Sequence, residues 1–479
     1  MDYKSILYLF ALLFFVVLFT LLFIARQWIG KKVEQEVNRR VEKKMRIKEK
    51  AVNIRTYNDS VNHIKSSNGY KVKSIKYKCV TVLFADIQGF TKIVEHLHPD
   101  LLIDELDEFF IRFDSIVERY SIEKIKTIGD AYMAAGGLPD KSSTHAIEMV
   151  LVALEIQSYM EKLRAVKIDQ HKDYWELRIG IHSGPVISGR IGRNKVSTDI
   201  WGDTVNIASR MESSGVAGKI NITGVTFDMI KEFFICDYRG KMPIKYKGEI
   251  DMFFVDRIKP ELSDDDQGVI PNQLFWTRLA HIRFADLEEA VTERLNKELP
   301  DSIFYHNAEH TLDVITQAEI IARSENVDED DLLLIKTAAL MHDTGYIVNY
   351  NDHEMSSIEI ACEVLPRFGY DQNQIDEVVK LIEVTIPSNE PGNLNEYIIK
   401  DADLDYLGRN DFFRVSQLLF QELQAFDFDI TVDEWNQKQL DFLRSHKYYT
   451  STATRLRQRN KEKQIYRLKK MLEHSEELV

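Results

Sequence analysis

The chain has little cysteine: three residues in 479, Cys79, Cys236 and Cys362, far apart in the sequence. That excludes a disulfide scaffold, leaves no Cys-x-x-Cys metal knuckle and suits a reducing compartment. There is no internal repeat and no low-complexity tract, and the Pro and Gly totals are ordinary. Nor is there an excess of positive charge. The formal net charge of -14 argues against non-specific nucleic-acid binding, which needs cationic surface to displace counterions. What is present, 44% hydrophobic and 29% charged residues, is globular composition and excludes a largely disordered chain. At roughly 100–200 residues per domain, two or three domains are expected.

One long hydrophobic run breaks the polar average. From Ile6 to Ile24 every residue is apolar except Tyr8 and Thr20. Nineteen such residues come close to the roughly 20 that cross a hydrocarbon core. A cleaved signal peptide would carry a shorter apolar stretch ending in small residues. Here Ala25-Arg26-Gln27-Trp28 follows, so an uncleaved transmembrane anchor over 1–28 is expected. Residues 26–50 hold ten Lys/Arg against four Glu, a local +6. Positive charge beside a spanning helix stays cytoplasmic, so the N-terminus is expected outside, everything after Arg26 inside, with no room for a sensor domain beyond the membrane. Over 29–71 a helical connector is expected. Its apolar positions Ile29, Val33, Val37, Val41 and Met45 recur every fourth residue, which suits a short chain-pairing helix or a solvated connector near anionic lipid.

Pro260 to Gly268 is polar, acidic and rich in breakers, and reads as a linker over 259–270. Before it, over 72–258, β-branched runs (Lys78–Ala85, Leu177–Ile181) alternate with helical patterns (Leu101–Tyr120, Ala146–Lys162), an α/β or α+β domain. After it, over 271–479, apolar residues recur at helical spacing (Leu287–Leu295, Leu312–Ala322, Leu332–Met341, Ile375–Ile382), an all-α domain.

Asp86 ends an apolar strand and is followed by Ile87-Gln88-Gly89-Phe90-Thr91. A glycine turn into a helix exposes backbone N–H groups to an anion, and a carboxylate beside it can hold a divalent cation against phosphate. Asp130 follows Gly129 in what reads as a hairpin turn. Two carboxylates near phosphate suit a two-metal site that grips attacking and leaving oxygens. Either aspartate alone is more often a turn or cap residue.

Four motifs occur in order: Phe84-Ala-Asp-Ile-Gln-Gly-Phe-Thr91, Lys124–Ala134, Arg178-Ile-Gly-Ile-His-Ser-Gly184 and Thr198-Asp-Ile-Trp-Gly-Asp-Thr-Val-Asn-Ile-Ala-Ser-Arg-Met211. Together they closely resemble the class III nucleotide cyclases. The resemblance implies a ferredoxin-like βαββαβ core, with Asp86 and Asp130 holding two Mg2+ or Mn2+ ions and Ile87, Gly89 and Phe90 binding substrate in the turn beside them. Lys126 and Asp199 match the adenine-reading pair, whereas guanylate cyclases typically place Glu at the Lys126 position. Asn206 and Arg210, one turn apart on a helix, match the residues that position ribose and stabilise the transition state. Lys247 matches the triphosphate-binding lysine, with Lys245 a neighbouring competitor for that role. The family builds its sites head-to-tail across a homodimer. The aspartates of one chain face Lys126, Asp199, Asn206 and Arg210 of the other, and all of these occur here. The implied reaction converts ATP to 3′,5′-cAMP and pyrophosphate.

Farther on, Tyr305-His-Asn-Ala-Glu-His310 spaces His306 and His310 at i,i+4, expected on one helix face. His342-Asp343 follows an apolar helix, then come His353 and Asp401-Ala-Asp403. Imidazole and carboxylate from separate helices suit a hydrolytic metal site, although a lone buried histidine is more often structural. The arrangement resembles the HD-domain metal-dependent phosphohydrolases, and Tyr305–His310 with Leu312-Asp-Val314 resembles the opening signature of cyclic nucleotide phosphodiesterases. By that resemblance His310, His342, Asp343 and Asp403 ligate a divalent transition metal such as Mn2+, Fe2+ or Zn2+, and His306 gives a proton to the leaving O3′. Ala402-Asp-Leu404 favours Asp403 over Asp401. The chain departs from the phosphodiesterases in lacking a His three residues after Asp343 and in having a shorter domain. His353 stands open between a second-metal or substrate contact and a solvated loop residue. Residues 455–470, eight Lys/Arg against one Glu, read as a solvated helix face or as a contact to substrate phosphate or the membrane.

The expectation is a membrane-anchored adenylate cyclase, homodimeric, fused to an HD phosphohydrolase acting on a cyclic nucleotide, cAMP to AMP. Beside it stand an HD domain that senses a nucleotide without hydrolysing it and an HD hydrolase of another phosphoester. A scaffold-only cyclase fold is disfavoured by its complete catalytic set.

Overall fold

The computed structural model describes residues 74–90, 99–191, 197–244, 248–426 and 429–476. The expected anchor and connector, and Lys245 and Lys247, lie outside the described residues. Among the described residues no helix is long and apolar enough to cross a membrane. The chain divides into two units, Lys76–Ser188 with Thr198–Val479, and Met1–Ile75 with Gly189–Ser197. The described part of the second is a few strand-end residues, and the account below concerns the first.

β1 (Ser74–Ile87), α1 (Pro99–Arg119), β2 (Glu123–Ile128), β3 (Ala131–Gly136), α2 (His145–Asp169) and β4 (Leu177–Ile191) give the βαββαβ order. β5 (Ser197–Trp201), α3 (Asp203–Ser213), β6 (Ile220–Thr223), α4 (Gly224–Ile230), β7 (Phe234–Ile244) and β8 (Gly248–Ile258) extend it. The sheet runs β2-β3-β1-β4-β6-β8-β7, with β5 paired to β4. β1 is covered on both sides. Val80, Val82 and Phe84 enter one apolar cluster, and Leu83, Ala85 and Ile87 enter another. Side chains alternate along a strand, so Asp86 emerges on the Val80–Phe84 face at the point where the apolar run stops.

The segment expected as a linker is a closed loop. The Asp265 carboxylate accepts from the Ser263 hydroxyl at 2.8 Å and from the amides of Val269 and Ile270 at 2.9 Å each. Among the described residues nine α-helices follow: α5 (Gln273–Glu298), α6 (Ala308–Ser324), α7 (Glu329–Met341), α8 (His353–Val364), α9 (Gln372–Thr385), α10 (Leu394–Asp403), α11 (Phe412–Ala425), α12 (Val432–Ser445) and α13 (Ser451–Glu476). α5 is shared between two cores. Its Phe275 and Leu279 are fully buried with Phe233 and Phe234 in the core of the sheet domain, while its Phe284, Leu287, Val291 and Leu295 belong to the helical core.

Candidate active sites

The strand β1 and the β2–β3 turn bring two carboxylates together. Gly129 takes φ +63 in that turn, a conformation that suits glycine, and hands Asp130 to the end of β1. Burial, and next the charge of Asp86, push the Asp130 carboxyl up to about 6. Arg178 on β4 places Nη2 2.9 Å from Asp86 Oδ2 and 2.9 Å from Glu212 Oε1 on α3. Burial pushes Glu212 up to about 7, with the Asp86 charge adding to it and Arg178 opposing. Three carboxylates around one guanidinium carry surplus negative charge, which a divalent cation would offset. Asp86 and Asp130 therefore fit metal ligation. Sequence reasoning quoted Arg178 inside a motif without assigning it a role and passed over Glu212. The available signal was an arginine alternating with apolar residues in Leu177-Arg178-Ile179.

In the turn after β1 the side chains of Ile87 and Phe90 are turned inward. Ile87 is buried, and Phe90 meets Trp175 edge-on at 6.2 Å. Both can offer only backbone groups to a ligand. Gly89, at φ +75, has open space where a Cβ would stand, so an anion can approach the backbone there.

Lys126 Nζ lies 2.6 Å from Asp199 Oδ2. The pairing of β2 with β3 shifts register between Lys124 and Lys126, and such a bulge re-aims a side chain. Lys124 accordingly turns to Asp114 at 2.7 Å, and Lys126 turns to β5. Asn206 and Arg210 are exposed, one turn apart on α3. Neither side chain bonds to Asp86, Asp130, Lys126 or Asp199 of its own chain.

The helical domain gathers a second cluster. His310 comes from the first turn of α6, His342 caps the C-terminus of α7 with Asp343 after it, and Asp403 ends α10. His310 Nε2 lies 3.4 Å from both Asp343 Oδ2 and Asp403 Oδ1, and His342 Nε2 lies 3.1 and 3.5 Å from the same two oxygens. Ligand atoms of His310, His342 and Asp403 all fall within 4.8 Å of one another. Burial opposes charge on all four groups, yet the carboxylates hold both imidazoles up and the imidazoles hold Asp343 and Asp403 low. The Nε2 atoms of His310 and His342 and Oδ2 of Asp343 are buried without a hydrogen-bond partner. His342 Nδ1 donates to the Ala339 carbonyl at 2.9 Å, which orients the ring with Nε2 facing the cluster. Two imidazole nitrogens and two carboxylates converging on one buried point fit a divalent transition metal.

His306 does not share a helix face with His310, contrary to expectation. The Asn307 side chain accepts from the amides of Glu309 and His310 and so starts α6 at Ala308, leaving His306 in the bend ahead of the helix, where the Asn307 amide donates to the Tyr305 carbonyl at 2.8 Å. The two rings still come within 5.7 Å. His306 Nδ1 bonds Glu422 Oε1 at 2.5 Å, and Glu422 Oε2 accepts the backbone N–H of Tyr305 at 2.8 Å and of His306 at 3.2 Å. This fully buried glutamate on α11 was missed in the sequence, where nothing marks it off from other helical acids. Tyr346 is stacked between His306 (4.4 Å) and His353 (3.9 Å), and His353 Nε2 lies 3.5 Å from Asp343 Oδ1. His353 therefore lines the site instead of a solvated loop.

Asp401, fully buried, accepts from the amides of Tyr449 and Thr450 and from the Thr450 hydroxyl, anchoring the start of α13. In the basic run, Arg457 pairs with Asp405 at 2.7 Å and Lys461 is buried, donating to the His446 carbonyl at 2.6 Å. Those two cations hold the fold together.

Residues 72–257 match the family described as Adenylate and Guanylate cyclase catalytic domain, and residues 307–405 match the HD domain. Over 194 residues the chain is 38% identical to guanylyl cyclase C of Homo sapiens, covering 39% of this chain and 17% of that protein. Over 173 residues it is 36% identical to an adenylate cyclase of Mycobacterium tuberculosis, covering 36% of this chain and 38% of that one. The solved adenylyl cyclase CyaB from P. aeruginosa aligns at 28% identity and a TM-score of 0.38, over 40% of this chain and 99% of that one. The chain thus spans well under half the length of these two full-length relatives. By these matches the chain carries a class III adenylate and guanylate cyclase catalytic domain over residues 72–257, followed by an HD domain over residues 307–405.

Proposed function

We propose that this chain cyclises ATP to 3′,5′-cAMP and pyrophosphate, and that its HD domain hydrolyses a cyclic nucleotide, cAMP to AMP. The observation that carries the first half is the Lys126–Asp199 pair, a donor beside an acceptor at 2.6 Å. It complements the N1 acceptor and N6 donor of adenine. Asp86 and Asp130 would hold two Mg2+ or Mn2+ ions, which would acidify the ribose 3′-hydroxyl and grip the phosphates. The backbone at Gly89 receives phosphate, Asn206 positions ribose, and Arg210 with Lys247 offsets charge building on the departing pyrophosphate. Asn206 and Arg210 make no bond to the aspartates of their own chain, which supports a homodimer whose two sites are each shared by both copies. The apolar run 6–24 and its +6 flank support a single-pass anchor with the catalytic domains on the cytoplasmic side.

In the HD domain His310, His342, Asp343 and Asp403 would hold a divalent ion such as Mn2+, Fe2+ or Zn2+, which would activate water toward phosphorus. Glu422 fixes His306 through Nδ1, so Nε2 gives the proton that the O3′ needs as the P–O3′ bond breaks. The test uses the full chain, cAMP and Mn2+, with AMP followed over time and an Asp343→Ala control. AMP formation that the control loses supports the reading. Protein that still converts ATP to cAMP but releases no AMP overturns the hydrolase half and turns the HD domain into a sensor or a hydrolase of another phosphoester.

A further inference from the structure

The two catalytic clusters are joined by α5, and the contacts along it reach the elements that carry both sets of ligands. Toward the cyclase domain, Asp286 on α5 accepts from the Ser143 amide at 2.7 Å and the Ser143 hydroxyl at 2.6 Å, just before α2. Arg283, one turn earlier on α5, pairs with Glu148 in the first turn of α2, a carboxylate whose side chain is only 4% exposed. Between these contacts sits His145, whose Nδ1 bonds the Thr81 hydroxyl at 2.6 Å, and Thr81 in turn bonds the Ser183 hydroxyl at 2.7 Å. Thr81 lies on β1, the strand that ends in Asp86, and Ser183 on β4, the strand that carries Arg178.

Toward the HD domain the same Arg283 guanidinium lies over Gly369, where a Cβ would overlap it at φ +81. The next residue, Tyr370, shares a 2.7 Å hydroxyl–hydroxyl hydrogen bond with Thr337. Thr337 is buried inside α7, the helix capped by His342. One arginine therefore touches the helix packed beneath the cyclase aspartates and the loop bonded to the metal-ligand helix. α5 itself is buried at one end in the cyclase core and at the other in the HD core, and close-packed interiors transmit displacement.

We propose that α5, with Arg283 as its clasp, couples the two sites, so that filling the HD metal cluster changes nucleotide affinity at the cyclase site. By linkage, nucleotide changes HD metal affinity by the same factor. The inference rests on the two-site reading proposed above.

The test is a mutant cycle on the full chain, titrated with a fluorescent, non-cyclisable ATP analogue at constant Mg2+, with bound transition metal measured on the same samples. Asp343→Asn removes the HD metal. In the parent it should shift the Kd of the analogue by about 5-fold or more, the low end of ordinary coupling. In an Arg283→Gln, Glu148→Gln background, where neither partner is left as a buried unpaired charge, the shift should fall below about 2-fold. Tyr370→Phe, which removes one hydroxyl without disturbing the ion pair, should reduce the shift independently. A metal-bearing parent in which Asp343→Asn leaves Kd unchanged overturns the coupling, and so does a shift undiminished in both backgrounds. A parent holding no transition metal overturns the HD reading itself, and with it this inference.

Discussion

Lys126 Nζ and Asp199 Oδ2 stand 2.6 Å apart although 73 residues separate them in the chain. They meet because a register shift in β2 turns Lys126 toward β5. The pair is partly exposed, so its ionic contribution to stability is small and its geometry is free to serve a ligand. Lys126→Glu puts two carboxylates face to face and should erode the preference for ATP over GTP by roughly tenfold or more, the scale of one lost charged hydrogen bond. Competition between the two nucleotides measures it. Unchanged ATP selectivity would remove the base-reading role from this lysine.

Asp86→Ala and Arg210→Ala disable different parts of the proposed site. Each chain alone should be inactive, and mixing them should restore activity, because one of the two shared sites in a heterodimer is then intact. Confirmed heterodimers without activity would sink the shared-site model.

Glu422 touches His306 and none of the metal-ligand side chains. Glu422→Gln should therefore lower the kcat for cAMP by about 10- to 100-fold while metal content and KM stay near the parent values. A parallel loss of metal would show that the glutamate supports the cluster as a whole.

Two aspartates two positions apart have opposite duties. Asp403→Asn should lose metal with little change in Tm of the metal-free protein. Asp401→Asn should keep metal but weaken the fold by about 1–3 kcal/mol, since an acceptor for two amides and a hydroxyl is impaired. Elemental analysis and thermal melts of both variants separate the two roles.

Burial lowers His145 from 6.5 to about 4. The sign follows from linkage. Below pH 6.5 the unfolded chain takes up a proton that the folded chain refuses until about pH 4, so stability is complete above 6.5 and drains away as pH falls between those values. The full loss is roughly 3 kcal/mol. Thermal melts from neutral pH down to about 4 should show it, and a His145→Asn chain should lose less over that range.

Much of this was legible in the sequence because it is local. The β-branched run Lys78–Ala85 and the turn at Gly129 place Asp86 and Asp130 without any knowledge of the sheet. His342-Asp343 after an apolar helix needs only periodicity. What was not legible depends on residues distant in the chain. Glu422 acquires its meaning only when α11 is laid beside Tyr305, and Arg178 only when β4 lies between β1 and α3. The helix assigned to His306 failed because i,i+4 spacing cannot tell a helical turn from a bend ahead of an Asn cap. Asn307 was the cue.

The sharing of α5 changes what it means to speak of two modules. A polypeptide cut in the acidic loop after Pro260 leaves Phe233 and Phe234 without the ring of Phe275, which stands 4.9 and 6.0 Å from them. The severed helical half would in turn carry Phe275 and Leu279 into water. Both fragments inherit a sticky wound, so excised halves should aggregate more readily than the same residues joined. In calorimetry the joined chain should melt in a single step, behaving as one cooperative body with two chemistries.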